Sequence, residues 1–231
     1  MIKKKKRDCV DCGKPCYSKR CTYCTNAIKI QKNAAKKKTA TKSPAKPAAK
    51  KTVKAKKEKP TVANVKIASL KKHADDIFSL SIRLRDSDEN GYGKCITCNA
   101  ICFFYSGFGQ NSQHKCFSQN GHFRSRAKMS TRFHRQNNHS QCQGCNGKGG
   151  GKPFEYGLAI DKLYGYGTSI RIHELSLQTV KFGRMEYIDV ISESIVLAQE
   201  ELAKKKFDSE LISHIQSKID FYKNFLSKIG V

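Results

Sequence analysis

Two Cys-x-x-Cys pairs constrain the fold of this chain more than any other feature. Cys95 and Cys98 form one pair, and Cys142 and Cys145 form the other. Four cysteine thiolates in this arrangement are a common tetrahedral ligand set for zinc. The 43 residues between the pairs exceed the usual zinc-ribbon interval, so a sizeable insertion must separate the two halves of the site. The pattern predicts a small fold that depends on structural zinc, because the metal supplies free energy that a small core lacks.

A second cysteine cluster lies near the N-terminus. Its predicted ligands form two further pairs, Cys9 with Cys12 and Cys21 with Cys24, and Cys16 is a spare that could replace one of them. A reducing cytosol favours metal binding over disulfides for such pairs. We therefore predict a structural zinc knuckle over residues 1–27 that carries no catalytic chemistry.

The positive charge of the chain is concentrated at one end. Residues 1–72 contain 24 of the 45 Lys and Arg residues and 3 of the 19 Asp and Glu residues, so +21 of the net charge of +26 lies there. Residues 28–65 are dominated by Lys, Ala, Thr and Pro, which cannot bury enough apolar surface to fold. We predict a disordered basic linker that binds DNA phosphates without sequence preference. A tether that only aids solubility is the alternative, which the single sign of the charge disfavours.

The start of the chain does not predict secretion. The basic segment at residues 1–7 is followed by Asp8, Cys9, Asp11 and Cys12, where a signal peptide would have an apolar run. No segment approaches the roughly 20 apolar residues that a membrane helix needs. The sequence predicts a soluble protein with no membrane partner.

Apolar residues recur at helical spacing in three segments. The first lies within residues 66–90, where one face is marked by Ile67, Leu70, Ala74, Ile77, Leu80 and Leu84. Two more amphipathic helices are predicted at 188–203 and 209–229, and Asp208 is among the residues placed to cap the second. The apolar stripe of this last helix includes Leu211, Ile215, Ile219, Tyr222, Phe225 and Leu226. Such a stripe belongs either to the core or to the seam of a homodimer.

The insertion between the two central cysteine pairs carries a histidine among basic and aromatic side chains. His122 is the candidate catalytic residue, although a histidine in such surroundings can also serve only to contact a phosphate. Asn137 can brace the loop that carries His122, and Asn146 offers a side-chain oxygen to a hard cation such as Mg²⁺. His139 is expected to be structural and to bond backbone near the cysteines. The residues expected to contact DNA are Arg124, Arg126, Lys128, Arg132, Arg135 and Lys148.

The order of residues in this central region resembles the NinG family of tailed bacteriophages. The likeness is carried by Gly121-His122-Phe123-Arg124, by Arg132-Phe133, and by Asn137-x-His139-x-Gln141-Cys142-x-x-Cys145-Asn146. The resemblance implies a recombination endonuclease that cuts branched DNA, a Holliday junction or a D-loop, in the cytoplasm of the infected bacterial host. It also implies an α+β fold with a ββα-metal core of the HNH (His-Me finger) type over residues 91–165, flanked by helices at 66–90 and 166–231.

A mechanism follows from this resemblance. His122 is implied to take a proton from water as general base, while Asn137 orients its loop. One Mg²⁺ or Mn²⁺ ion, held in part by Asn146, is implied to stabilise charge on the phosphate and on the leaving 3′ oxygen. A neutral imidazole suits this task near pH 7. The expected products carry 5′-phosphate and 3′-hydroxyl ends.

Some residues depart from the HNH pattern and keep a second hypothesis open. No carboxylate lies among residues 118–120, which precede Gly121-His122, and Gly150 stands where HNH sites often have a histidine. Cys102, His114 and Cys116 form either part of another zinc site or ordinary loop packing, and the second is favoured for isolated residues of these types. The alternative to a nuclease is a noncatalytic, zinc-containing DNA-binding or architectural protein.

Overall fold

The computed structural model describes residues 60–105 and 116–231, together with residues 7, 8, 10, 15 and 16. The chain divides into two units, residues 1–56 and 57–231. In the first unit, β1 (Arg7–Asp8) pairs with β2 (Pro15–Cys16) in antiparallel orientation. The predicted zinc ligands Cys9, Cys12, Cys21 and Cys24 lie outside the described residues, as does most of the predicted linker. The N-terminal zinc knuckle therefore stays a prediction.

The second unit combines α-helices with two small antiparallel hairpins, which confirms the mixed α+β class. Its helices are α1 (Ile67–Arg85), α2 (Met129–Arg132), α3 (Pro153–Tyr164), α4 (Thr168–Leu177), α5 (Arg184–Leu202) and α6 (Ser209–Ile229). Its strands are β3 (Tyr92–Lys94), β4 (Ile101–Phe103), β5 (Ser118–His122) and β6 (Asn138–Cys142), where β3 pairs with β4 and β5 with β6. A 3₁₀ turn (Arg135–Asn137) precedes β6, and a π-helical turn (Gly144–Lys148) follows it.

The main core is built from α1, α5 and α6. The predicted apolar face of α1 is buried there from Leu70 to Leu84, and the stripe of α6 joins it through Leu211, Ile215 and Ile219. The stripe therefore belongs to the core of the monomer. Helix α6 begins where the sequence predicts, because the Asp208 carboxylate accepts a hydrogen bond from the Leu211 backbone N–H at 2.7 Å.

The end of the predicted disordered linker is folded. Val62 and Val65 pack against the main core, and the Val62 N–H donates to the Ile229 carbonyl at 3.1 Å. The side chain of Arg184 donates to the Val65 carbonyl at 3.0 Å. The prediction of disorder is therefore wrong for residues 60–65, because these two valines lie close together and supply apolar surface, whereas residues 31–59 contain one large apolar residue, Val53.

The hairpin of β5 and β6 packs against α1, and a helical segment follows it in the chain. Gly150 and Gly151, with φ of 62° and 81°, turn the chain from the π-helical segment toward α3, a conformation that glycine adopts without strain. Within the described residues, no helix combines the length and apolarity that crossing a bilayer requires.

Candidate functional site

Four cysteines from the two central pairs form a compact cluster. The Sγ atoms of Cys95, Cys98, Cys142 and Cys145 all lie within 4.8 Å of one another, and only Cys98 is exposed. The Sγ atoms of Cys98 and Cys142 are 3.8 Å apart, which matches the edge of about 3.8 Å expected for a tetrahedron with Zn–S bonds of about 2.3 Å. These cysteines could bind a metal such as zinc, as the sequence predicts.

Local hydrogen bonds favour the thiolate form of Cys95, whereas burial and the neighbouring cysteines raise the pKa of Cys98 and of Cys142. The Cys145 backbone N–H donates to the Cys142 Sγ at 3.4 Å, and the Cys95 Sγ lies 3.2 Å from the Thr97 hydroxyl. Burial raises the pKa of Cys95, but hydrogen bonds from Thr97 and from nearby backbone amides outweigh it and lower that pKa to about 6. Because metals bind the thiolate form, this environment suits a metal ligand.

Two further cysteines lie beside the cluster. Cys102 and Cys116 are joined by a disulfide, and Cys102 is buried against the cluster. Neither a second zinc site nor simple loop packing describes this pair, so both sequence-based alternatives are wrong for it. The bond forms because the chain entering β5 returns to β4, where the Phe103 N–H donates to the Cys116 carbonyl at 2.9 Å. His114 lies outside the described residues.

His122 lies in a polar cleft of about 570 Å³ between α1 and β5. The helix contributes side chains spaced four residues apart, and the strand contributes alternate side chains, so each wall is one face of its element. The wall from α1 includes Asp75, Ser79 and Arg83, and the wall from β5 includes Ser118, Asn120 and His122. Asn146, Arg126 and the two glycines after the π-helical turn also line the cleft, together with Phe78, Gln119 and Ser125.

The cleft keeps His122 neutral at physiological pH. Burial, together with the positive charges of Arg126 and Arg132, lowers its pKa to about 4. The negative charge of Asp75 and a hydrogen bond to the Asn120 backbone carbonyl act in the opposite direction but are outweighed. A neutral imidazole can accept a proton, which is what a general base requires.

Asp75 is the functional candidate that sequence reasoning missed. It precedes His122 by 47 residues, and no local motif links the two. Its carboxylate accepts two hydrogen bonds from the Arg132 guanidinium, at 2.7 and 2.5 Å. Two adjacent acidic residues in a predicted helix, Asp75 and Asp76, were the only available signal. The contact itself is long-range and follows from the packing of α1 on the hairpin.

This ion pair overturns one predicted DNA contact. Arg132 is 7% exposed, and its guanidinium also donates to the Arg126 carbonyl. With Asp75 and this carbonyl as partners, the side chain is not available to a phosphate. A pattern of basic residues cannot distinguish such a paired arginine from an exposed one. Arg132 instead ties the segment after β5 to α1.

Asn137 holds the segment that follows His122. Its side chain is fully buried, and its Oδ1 accepts from the Arg124 backbone N–H at 2.7 Å. Its Nδ2 donates to the carbonyls of Arg124 and Thr131, at 3.1 and 2.9 Å. The structure thus brings Asn137 to the loop that it was predicted to brace, while a role in catalysis stays a prediction.

Asn146 lies in the π-helical turn and lines the cleft with His122. Its Nδ2 donates to the Gln119 Oε1 at 2.8 Å, and this orients the amide. Within the described residues, its Oδ1 accepts no hydrogen bond. The predicted role of Asn146 as a cation ligand stays a prediction.

His139 joins three elements through side chains rather than through backbone, which corrects the predicted bonding. Its Nδ1 lies 3.2 Å from the Asp86 carboxylate, and its Nε2 lies 3.1 Å from the Tyr164 hydroxyl. Asp86 also accepts from the Ser140 N–H at 2.7 Å. These contacts fix the end of α1 and the end of α3 to β6, so His139 has a structural role.

Four of the predicted DNA-contacting residues are exposed. They are Arg126, Lys128, Arg135 and Lys148. Arg124 is half-buried, and its guanidinium lies 4.6 Å from the centre of the Phe123 ring, a cation–π contact that leaves part of the group accessible. Of these five side chains, that of Arg126 is part of the cleft lining.

Fold and site together define a small α+β protein with a cysteine cluster suited to a metal such as zinc and a polar cleft that contains a histidine. A family model described as the bacteriophage lambda NinG protein matches residues 1–205. The chain therefore belongs to the bacteriophage lambda NinG family, which confirms the resemblance drawn from its residues. Membership of this phage family is consistent with a role in phage recombination. No curated protein and no solved structure matches the chain.

Proposed function

We propose that this protein is a metal-dependent endonuclease that cuts branched DNA during phage recombination. One observation carries the proposal: His122 and Asn146, which are 24 residues apart in sequence, line the same polar cleft. The paired strands β5 and β6 are followed by a helical segment, the π-helical turn with α3. This order agrees with the ββα-metal core that the family resemblance implies. We therefore include an HNH-like core in the proposal.

The residues of the cleft fit a divalent cation. The Ser118 Oγ and the Asn120 Oδ1 are buried without a hydrogen-bond partner in the described residues, and Asn146 lines the same cleft. Oxygen atoms of this kind are the ligands that Mg²⁺ and Mn²⁺ prefer. A cation bound there would stabilise negative charge on the phosphate and on the leaving 3′ oxygen.

The chain's own residues perform the remaining steps. The neutral His122 accepts a proton from the attacking water at one ring nitrogen, while the Asn120 carbonyl orients the ring through the other. Asn137 keeps the backbone after His122 in place. Exposed cationic residues, Arg126 foremost, hold the phosphates of the DNA. The products carry 5′-phosphate and 3′-hydroxyl ends.

The cysteine cluster acts as scaffold in this proposal. Its four cysteines would hold a zinc ion, and four thiolate ligands would leave no open position for water or substrate. The basic N-terminal segment adds affinity for any DNA through phosphate contacts.

The test compares cleavage with binding on the same substrates. Labelled four-way junctions, D-loops and linear duplexes are incubated with the full chain and Mg²⁺ or Mn²⁺, using wild type, H122A and H173A. His173 is exposed on α4 outside the cleft and serves as the matched control. We expect wild type and H173A to cut branched DNA, and H122A to bind equally but to cut at least about 100-fold more slowly, as loss of a general base does. Binding without cutting by wild type would favour the noncatalytic DNA-binding alternative.

A further inference from the structure

The cleft contains oxygen atoms that no protein group satisfies. Ser118 is 5% exposed, and its Oγ has no hydrogen-bond partner in the described part of the chain. The same holds for the Asn120 Oδ1, which lies two residues further along the same face of β5. Buried polar atoms are almost always paired with protein or an ordered ligand. Two unpaired oxygens on one wall of a cleft therefore indicate a ligand between β5 and α1.

The chemistry of these atoms suits a cation. An amide oxygen can only accept hydrogen bonds, and so can the carboxylate of Asp75 on the opposite wall, so both groups attract a divalent cation. Arg83 and Arg126 also line the cleft, but the Arg83 guanidinium donates to the Ser79 and Phe104 carbonyls, and Arg126 is exposed to solvent. Among the described residues that line the cleft, Asp75 is the only acidic one. Mg²⁺ and Mn²⁺ are commonly bound by one or two carboxylates, with water and substrate phosphate as the other ligands.

Asp75 keeps the capacity to bind a cation despite its ion pair. Arg132 donates one hydrogen bond to each carboxylate oxygen, and each oxygen has two lone pairs. The Asp75 side chain is 26% exposed, so a cation in the cleft can reach it. Arg132 itself is anchored to the Arg126 carbonyl. The ion pair thus holds the carboxylate in one orientation, as outer partners of metal ligands commonly do.

We propose that Asp75 supplies the anionic ligand of the cation in this cleft, with the side-chain oxygens of Ser118 and Asn120, beside that of Asn146, as neutral ligands. This inference rests on the proposed function, because it names the ligands of the same cation. It also explains how the site can lack a carboxylate next to His122 in sequence. The charge comes from a helix that precedes the strand by more than 30 residues.

The experiment measures cation binding without DNA. Zinc-loaded full-length protein is titrated with Mn²⁺, and free Mn²⁺ is followed by its electron paramagnetic resonance signal. We compare wild type with D75N and with D76N, since Asp76 is the exposed neighbour on α1 that does not line this cleft. We expect one Mn²⁺ per wild-type chain, a loss of affinity of at least about tenfold in D75N, and no change in D76N. Equal Mn²⁺ affinity of D75N and wild type would overturn the inference.

A second pair of variants leaves the ion pair with Arg132 intact. N120A should weaken Mn²⁺ binding, whereas N120D should strengthen it, because a second carboxylate then faces the cation. Unchanged affinity in both variants would also overturn the inference. This outcome can be distinguished from that of the proposed function. If Mn²⁺ binds through Asp75 but the wild-type protein does not cleave DNA, the cation site is supported and the nuclease proposal is overturned. If the wild-type protein cleaves DNA but D75N binds Mn²⁺ as tightly as wild type, the nuclease proposal is supported and the role of Asp75 is overturned.

Discussion

Replacing Asn137 with alanine tests whether this side chain holds the His122 loop. The substitution removes three hydrogen bonds: one from the Arg124 N–H and two to the carbonyls of Arg124 and Thr131. A buried hydrogen bond contributes about 1 kcal/mol net, and the partner groups left behind are themselves buried or half-buried. The expected loss in free energy of unfolding is therefore about 3 kcal/mol.

The loss is measured by urea unfolding, followed by circular dichroism at the helix band. Asn224 is exposed in the middle of α6, so N224A is the matched control and should change the free energy of unfolding by less than about 0.5 kcal/mol. N137D retains the acceptor but loses both donors and buries a charge, so it should be at least as damaging as N137A. A loss below about 1 kcal/mol in N137A would refute the bracing role.

Three further predictions concern the pH profile, the metal and the linker. Because the pKa of His122 is about 4 in the folded chain and about 6.5 in the unfolded one, its neutral form persists in mildly acidic solution. The cleavage rate should stay constant from neutral pH to below 6 and fall only toward pH 4. The contribution of His122 to the free energy of unfolding is complete above pH 6.5 and is lost as the pH falls from 6.5 to 4. A cleavage rate that falls with a midpoint at pH 6.5 would contradict this. C98S should lower both the zinc content and the melting temperature of the protein. A melting temperature of the wild type that does not change when a strong chelator is added would argue against a structural metal. Deleting residues 28–59 should weaken binding to every DNA shape and reduce the dependence of affinity on salt, and an unchanged salt slope would count against the linker's role.

Local patterns were enough to predict the helices of the core. The three- and four-residue spacing of apolar side chains located α1, and the capping position of Asp208 located the start of α6, since both signals act within one or two turns. The two cysteine pairs likewise predicted a cluster, because each pair is local and four thiolates have one common use. The family resemblance rested on residues of the same region.

Long-range pairing explains what the sequence could not predict. Asp75 and Arg132 are 57 residues apart and meet only because α1 packs on the hairpin. The same packing buries Arg132 and brings an acidic group to the cleft that contains His122. The disulfide between Cys102 and Cys116 also depends on tertiary structure, since β4 and the start of β5 must first be adjacent.

Helix α1 contributes to both the main core and the polar cleft. One of its faces is part of the main core with α5 and α6, and another face forms a wall of the cleft through Asp75 and Arg83. The cleft should consequently unfold together with the helical core, in one cooperative transition. Mutations in α5 or α6 that loosen this core should then reduce activity in proportion to the unfolded fraction, even though neither helix contributes a residue to the cleft lining.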